Sequence, residues 1–83
     1  MSFHLYILYS EQYDRFYVGQ TNQLDKRIER HNNGFVRSTK SYRPWKLVYT
    51  EAFANRSEAV KRESEIKRWN SKIKIKKLVD ASR

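Results

Sequence analysis

The stretch FHLYILYSEQYDRFYVG, residues 3–19, decides the fold because it places two apolar segments on either side of a short polar connector. Residues 3–9 are apolar on both parities, which is typical of a strand covered on both faces. Residues 15–19 form the second strand candidate, and residues 10–14 are polar. The pattern predicts a β-hairpin with a loop of a few residues.

The hairpin carries two tyrosines at matching places, Tyr6 and Tyr17. If the pairing is symmetric about Glu11 and Gln12, the two rings lie opposite each other on one face of the sheet. Tyrosine also fills the cores of small proteins, so packing alone could explain both. Gly19 favours the functional interpretation, because a glycine in a strand lets another group approach the backbone closely.

A helix is predicted after the hairpin, with Asn22 as its N-cap and Asp25 as the capping-box acid. Leu24 and Ile28 form its buried stripe, and residues 32–34, Asn-Asn-Gly, end it. A basic loop then leads to a third strand over residues 45–50, where apolar residues alternate with others.

Two more helices are predicted near the C-terminal end. Asn55 caps the first, with Glu58 at the capping-box position, and Ser71 caps the second, although residues 72–75 also fit a strand. The predicted buried residues of the two helices are Ala59, Val60, Ile66, Ile75, Leu78 and Val79. The order β-β-α-β-α-α predicts a single α+β domain over residues 1–83, a three-stranded antiparallel sheet flanked by helices.

The net charge of +9 lies entirely in residues 36–83, which favours a polyanionic partner such as nucleic acid. Solubility or a membrane-surface patch are the alternatives. Absence of cysteine excludes disulfides, and the chain lacks any apolar run long enough to span a membrane and any secretion signal, so we expect a soluble cytoplasmic protein. The candidate nucleic-acid contacts are Arg37, Lys40, Arg43, Lys72, Lys74, Lys76 and Lys77.

Three further polar residues fall beside apolar stripes. At about 100° per residue, Arg27 and His31 lie close to the Leu24 line of the first helix, and Glu63 lies beside the buried face of the second. Arg27 could extend past the apolar stripe to solvent, and His31 could be an ordinary helix-end histidine. Glu63 could pair with Lys67 at i,i+4, or it could bind a hard cation such as Mg²⁺.

The ordered motifs resemble those of the GIY-YIG nuclease domain, in particular the small stand-alone kind that is similar to the nuclease module of bacterial excision repair. The resemblance covers essentially the whole chain, through LYI at residues 5–7, YVGQTN at 17–22, RPWKLVY at 43–49 and the segment around Glu63. Leu5 stands where the first motif carries glycine. Gln20 stands where the repair module carries lysine, and Lys40 is the alternative source of that phosphate contact.

The resemblance implies a metal-dependent DNA endonuclease acting in repair, recombination or mobile-element processing. It implies that Tyr17 is the general base, with Tyr6 beside it, and that Arg27 binds the scissile phosphate. His31 would assist proton transfer or contact phosphate, and Glu63 would hold one Mg²⁺ or Mn²⁺ ion. The implied partners are DNA and a DNA-recognition or repair protein, with no membrane. A catalytically weak binding module, or a nuclease component of a larger assembly, is the alternative.

Overall fold

The protein folds as one antiparallel sheet with helices on both sides, in a computed structural model that describes residues 2–82. The strands are β1 (Phe3–Ser10), β2 (Arg15–Thr21) and β3 (Lys46–Phe53), arranged in the order β2-β1-β3. The helices are α1 (Leu24–Asn32), α2 (Arg56–Trp69) and α3 (Lys72–Ala81), with one 3₁₀ turn at Lys40–Tyr42. The predicted α+β class and the order β-β-α-β-α-α are therefore confirmed.

The central strand β1 is buried on both faces, as its apolar parities predict. Leu5 and Ile7 are fully buried beneath α2 and α3, in one apolar cluster with Ile66. Tyr6 and Leu8 are buried on the opposite face, where α1 and the α1–β3 connection cover them. Full burial of an apolar side chain contributes about 1.5–3 kcal/mol, so these two layers hold the helices to the sheet.

The hairpin register differs from the predicted one by two residues. Tyr6 pairs with Gly19, and Tyr17 pairs with Leu8, so the prediction that the two tyrosines lie directly opposite is wrong. The cause is a four-residue loop at 11–14 that ends on Asp14 in the left-handed region, at φ 51°. Because a shift of two residues preserves side-chain parity, both rings nevertheless share one face.

Helix α1 begins later than its sequence predicts, and Asn22 is not its cap. The first helical residue is Leu24, and Gln23 occupies the N-cap position without a side-chain hydrogen bond. The Thr21 hydroxyl instead accepts from the Gln23 N–H at 3.0 Å. Thr21 is buried at the end of β2, so it fixes the turn that Asn22 was expected to make.

The other two caps agree with the sequence. The Asn55 carboxamide oxygen accepts from the Glu58 N–H at 3.0 Å. The Ser71 hydroxyl accepts from the Lys74 N–H at 3.2 Å, so the segment after Ser71 is helix rather than strand. Val60 is 41 % exposed, so its predicted place in the core is wrong.

Across residues 2–82, none of the helices has both the length and the apolar composition that crossing a bilayer requires.

We predict that Gly19→Ala destabilises the fold, because a Cβ at that position would lie 2.5 Å from the Tyr6 hydroxyl oxygen and 2.6 Å from its Cζ. Overpacking of this kind costs about 1–3 kcal/mol in the free energy of unfolding. Urea denaturation checks the size of the loss. In a Tyr6→Leu background the same substitution should cost much less, and an equal cost in both backgrounds would contradict the account.

Candidate active site

Two tyrosines and a histidine form a compact aromatic cluster between the sheet and α1. The ring centroids of Tyr6 and Tyr17 are 6.3 Å apart, and those of Tyr17 and His31 are 4.7 Å apart. His31 and Tyr6 are buried, whereas Tyr17 on the edge strand β2 is partly exposed. The cluster therefore has an inner part closed to solvent and an outer phenol that solvent reaches.

The inner part is joined by a chain of hydrogen bonds. The Tyr6 hydroxyl lies 3.0 Å from His31 Nε2, and His31 Nδ1 lies 2.8 Å from the Thr39 hydroxyl oxygen. The Thr39 hydroxyl donates its single proton to the Val36 carbonyl at 3.3 Å. Thr39 must therefore accept from His31 Nδ1–H, which leaves Nε2 of a neutral imidazole to accept from Tyr6.

The electrostatics agree with this assignment of protons. Burial, reinforced by the charges of Arg27 and Arg30, lowers the pKa of His31 from 6.5 to about 4. Burial also raises the pKa of Tyr6 well above its ordinary value, and a charge on Tyr17 raises it further. Tyr6 is thus a neutral phenol that donates to a neutral imidazole at physiological pH.

Thr39 was not singled out from the sequence, where it is one hydroxyl in a basic loop. It is 1 % exposed, and its carbonyl accepts from the Trp45 indole N–H at 2.9 Å. Asn32 holds the two ends of the loop together, since its carboxamide donates to the Trp45 carbonyl at 3.0 Å and accepts from the Trp45 N–H at 2.6 Å. Only this folded loop brings Thr39 to His31, and no local sequence signal could have shown it.

Arg27 lies close to the cluster from the α1 side. Its positive charge lowers the pKa of both Tyr6 and His31, although burial dominates each shift. Arg27 is half-buried one turn before His31 on the same helix. The guanidinium is therefore available to an anion that approaches the phenols.

Glu63 approaches the same cluster from α2, on the other side of the sheet edge. Its negative charge is among the causes that raise the pKa of Tyr6. The Glu63 carboxylate accepts from the Lys67 ammonium at 2.6 Å, and this ammonium lies 5.8 Å from the Tyr17 ring centroid. The i,i+4 ion pair considered from the sequence is therefore present, and it lies beside Tyr17.

An open groove of about 610 Å³ extends from Tyr17 along the edge of the sheet, between β2 and the α2–α3 junction. We call it the β2 groove. Its lining includes Asp14, Arg15, Tyr17, Lys67, Asn70 and Lys72. Asn70 ends α2 in the left-handed region at φ 46°, which places it in the wall of this groove.

The basic residues expected to contact nucleic acid do not form one strip. Lys72 and Lys76 lie beside the β1–β2 hairpin, whereas Lys74 and Lys77 lie on the side of α3 that carries Leu78. The other three, Arg37, Lys40 and Arg43, belong to the segment between α1 and β3. Within the described chain, Lys72 is the one of these seven residues that lines the β2 groove.

The arrangement has the chemistry that hydrolysis of a phosphodiester needs. It combines a partly exposed phenol, a guanidinium and a carboxylate around a neutral hydrogen-bond donor. Such groups can accept a proton from water, bind a phosphate oxygen and hold a hard cation.

Comparisons with known proteins agree with this geometry. The family model described as the GIY-YIG catalytic domain matches residues 2–77. A UPF0213 protein of Staphylococcus saprophyticus is 48 % identical over 61 residues, which cover 72 % of this chain and 74 % of that protein. A UPF0213 protein of Clostridium perfringens is 42 % identical over 73 residues, which cover 87 % of this chain and 77 % of that protein.

A solved structure has the same fold. The solution NMR structure of a UPF0213 protein from Bacillus halodurans superimposes with a TM-score of 0.61 and is 34 % identical in sequence. The match covers 98 % of this chain and 85 % of that protein. The β-β-α-β-α-α arrangement is thus shared with an experimentally determined relative.

The buried imidazole makes the stability depend on pH. Because the folded pKa of His31, about 4, lies below the unfolded value of 6.5, the unfolded state binds more protons between these values. The free energy of unfolding should therefore be fully present above about pH 6.5 and should fall as the pH drops toward 4. Urea denaturation across this range checks the prediction, and His31→Gln should show a smaller decrease.

NMR titration of the His31 ring protons provides an independent check. An imidazole that protonates at or above its ordinary pKa of about 6.5 would contradict the proton assignment.

Proposed function

Because this chain belongs to the GIY-YIG catalytic domain family, we propose that it is a DNA endonuclease that hydrolyses phosphodiester bonds with one divalent metal ion. Membership of the family implies nuclease activity. The observation that supports the proposal most strongly is the convergence of Tyr17, Arg27 and Glu63 around the buried Tyr6.

In this proposal Tyr17 is the general base that takes a proton from the attacking water. Tyr6 is a poor candidate for that role, because burial raises its pKa and its hydroxyl donates to His31. Tyr17 is partly exposed and lines the β2 groove, so water and substrate can reach it. The two phenols therefore divide the work, one as the base and the other as a neutral donor.

Arg27 is proposed to bind the scissile phosphate, where a guanidinium stabilises charge that builds up in the transition state. His31 is 0 % exposed and both of its ring nitrogens have partners. This geometry favours a positioning role, in which His31 orients the Tyr6 hydroxyl, over direct contact between the imidazole and a phosphate.

Glu63 suits a single hard cation. Among the described residues 2–82, no group of three or more His, Cys, Asp or Glu side chains could hold a metal. Magnesium commonly keeps several waters and uses one or two carboxylates together with substrate phosphate oxygens. The Glu63 side chain, 21 % exposed beside the phenols, fits that pattern, and the ion would supply Lewis-acid stabilisation of the phosphate.

The finer parts of the proposal concern the substrate and the setting. The net charge of +9 supports DNA as the substrate. We place the activity in the cytoplasm, in repair, recombination or mobile-element processing, with a DNA-recognition or repair protein as an expected partner. Labelled duplex, flap, branched and single-stranded DNA, each incubated with Mg²⁺ or Mn²⁺, would identify the preferred substrate.

We predict that Tyr17→Phe abolishes cleavage and leaves DNA binding intact, because it removes only the phenolic oxygen and keeps the ring. A general base contributes about 10²- to 10⁴-fold in rate, so single-turnover cleavage should slow by that factor. Tyr6→Phe is the matched variant and should cost less. Near wild-type cleavage by Tyr17→Phe would exclude Tyr17 as the base.

We predict opposite effects on metal affinity from the two members of the Glu63–Lys67 pair. Glu63→Gln should remove metal binding, because a neutral carboxamide replaces the proposed ligand. Lys67→Met should strengthen it, because the competing ammonium 2.6 Å from the Glu63 carboxylate is gone. Calorimetric titration with Mn²⁺ measures both. Equal affinity in Glu63→Gln and wild type would mean that Glu63 serves only the ion pair.

A further inference from the structure

Both lysines of the β2 groove are neutralised by carboxylates of the same chain. Lys67 pairs with Glu63, and the Lys72 ammonium lies 3.0 Å from the Asp14 carboxylate. Asp14 and Lys72 belong to distant parts of the sequence, the hairpin loop and the start of α3. The pair therefore brings an anion to a cation at the wall of the groove that contains Tyr17.

The Asp14 carboxylate is held in place from the hairpin side. The Tyr9 hydroxyl donates to Asp14 Oδ1 at 2.7 Å, while Oδ2 accepts from Lys72. The hydrogen bond from Tyr9 and the ammonium of Lys72 lower the pKa of Asp14, so the carboxylate is ionised at neutral pH. Lys72 thus has a fixed anionic partner that is part of the protein.

This ion pair is easily exchanged. The two side chains are 64 % and 55 % exposed, and exposed ion pairs contribute little to stability. The phosphates of a DNA strand form a string of anions that a groove with several cations binds more strongly. Arg15 adds a further cation to the groove, and its guanidinium is stacked 4.2 Å above the Tyr42 ring.

We propose that Lys72 is a phosphate-binding subsite for the DNA strand flanking the scissile phosphate, and that Asp14 occupies this subsite when DNA is absent. The inference rests on the proposed function, because it assigns the β2 groove to the strand that continues from Tyr17. Arg15 and Tyr17 are two residues apart on β2, so about 7 Å of strand separates them. The groove therefore extends beyond one phosphate group, and its occupant is a nucleic-acid backbone.

Asp14→Asn provides a clean test. Asparagine tolerates the left-handed backbone at this position and can still accept the Tyr9 hydrogen bond, so only the charge is lost. Glu29→Gln is the matched control, since it removes one exposed negative charge from α1. Both variants raise the net charge equally, and circular dichroism checks that both are folded.

The measurement is fluorescence anisotropy of a labelled single-stranded oligonucleotide in EDTA over a series of salt concentrations. Asp14→Asn should lower Kd severalfold relative to Glu29→Gln, and its salt dependence should steepen by about 0.7 for one additional phosphate contact. In a Lys72→Met background, Asp14→Asn should have only the effect of the control. Inorganic phosphate, as a competitor, should weaken binding much less than unlabelled oligonucleotide does.

Equal effects of Asp14→Asn and Glu29→Gln would overturn the proposal, as would an Asp14→Asn effect that persists without Lys72. The failure of the proposed function gives a different result, because this binding measurement needs neither metal nor cleavage. A wild-type protein that binds the oligonucleotide but never cuts DNA would refute the endonuclease and leave the subsite intact.

Discussion

The hydrogen bond between the Tyr6 hydroxyl and His31 Nε2 is the interaction on which the candidate site depends. It lies in the buried layer between β1 and α1, where an unpaired hydroxyl or imidazole would cost about 1–3 kcal/mol. Gly19 makes room for the phenol, and Thr39 determines which nitrogen of His31 carries the proton. Tyr6 is consequently both a core residue and a polar group with a defined direction.

The site exists because β2 is an edge strand. Tyr17 projects toward the α1 face of the sheet, whereas α2 packs against the opposite face through Ile66. Groups on α2 can approach Tyr17 only around the open edge of β2, and the Lys67 ammonium does so at 5.8 Å from the ring centroid. A central strand would have separated the phenols from Glu63.

Local signals in the sequence predicted most of the fold, since strand parity and the caps at Asn55 and Ser71 depend on neighbouring residues. Two failures also have local causes: the left-handed Asp14 lengthened the hairpin loop, and Thr21 replaced Asn22 at the start of α1. The grouping of Tyr6, Tyr17, Arg27, His31 and Glu63 was predicted from spacing and family resemblance. Thr39 could not be predicted, because its contact with His31 depends on the folded α1–β3 loop.

The central claim is that Tyr6 is a neutral hydrogen-bond donor, which leaves Tyr17 as the phenol able to accept a proton. NMR titration of protein labelled at the tyrosine Cζ carbons tests it most directly, with Tyr6→Phe identifying the Tyr6 signal. Burial raises the pKa of Tyr6, so its signal should stay at the protonated position through about pH 11, above the ordinary phenol pKa of about 10. A Tyr6 signal that shifts at or below about pH 10 would contradict the account.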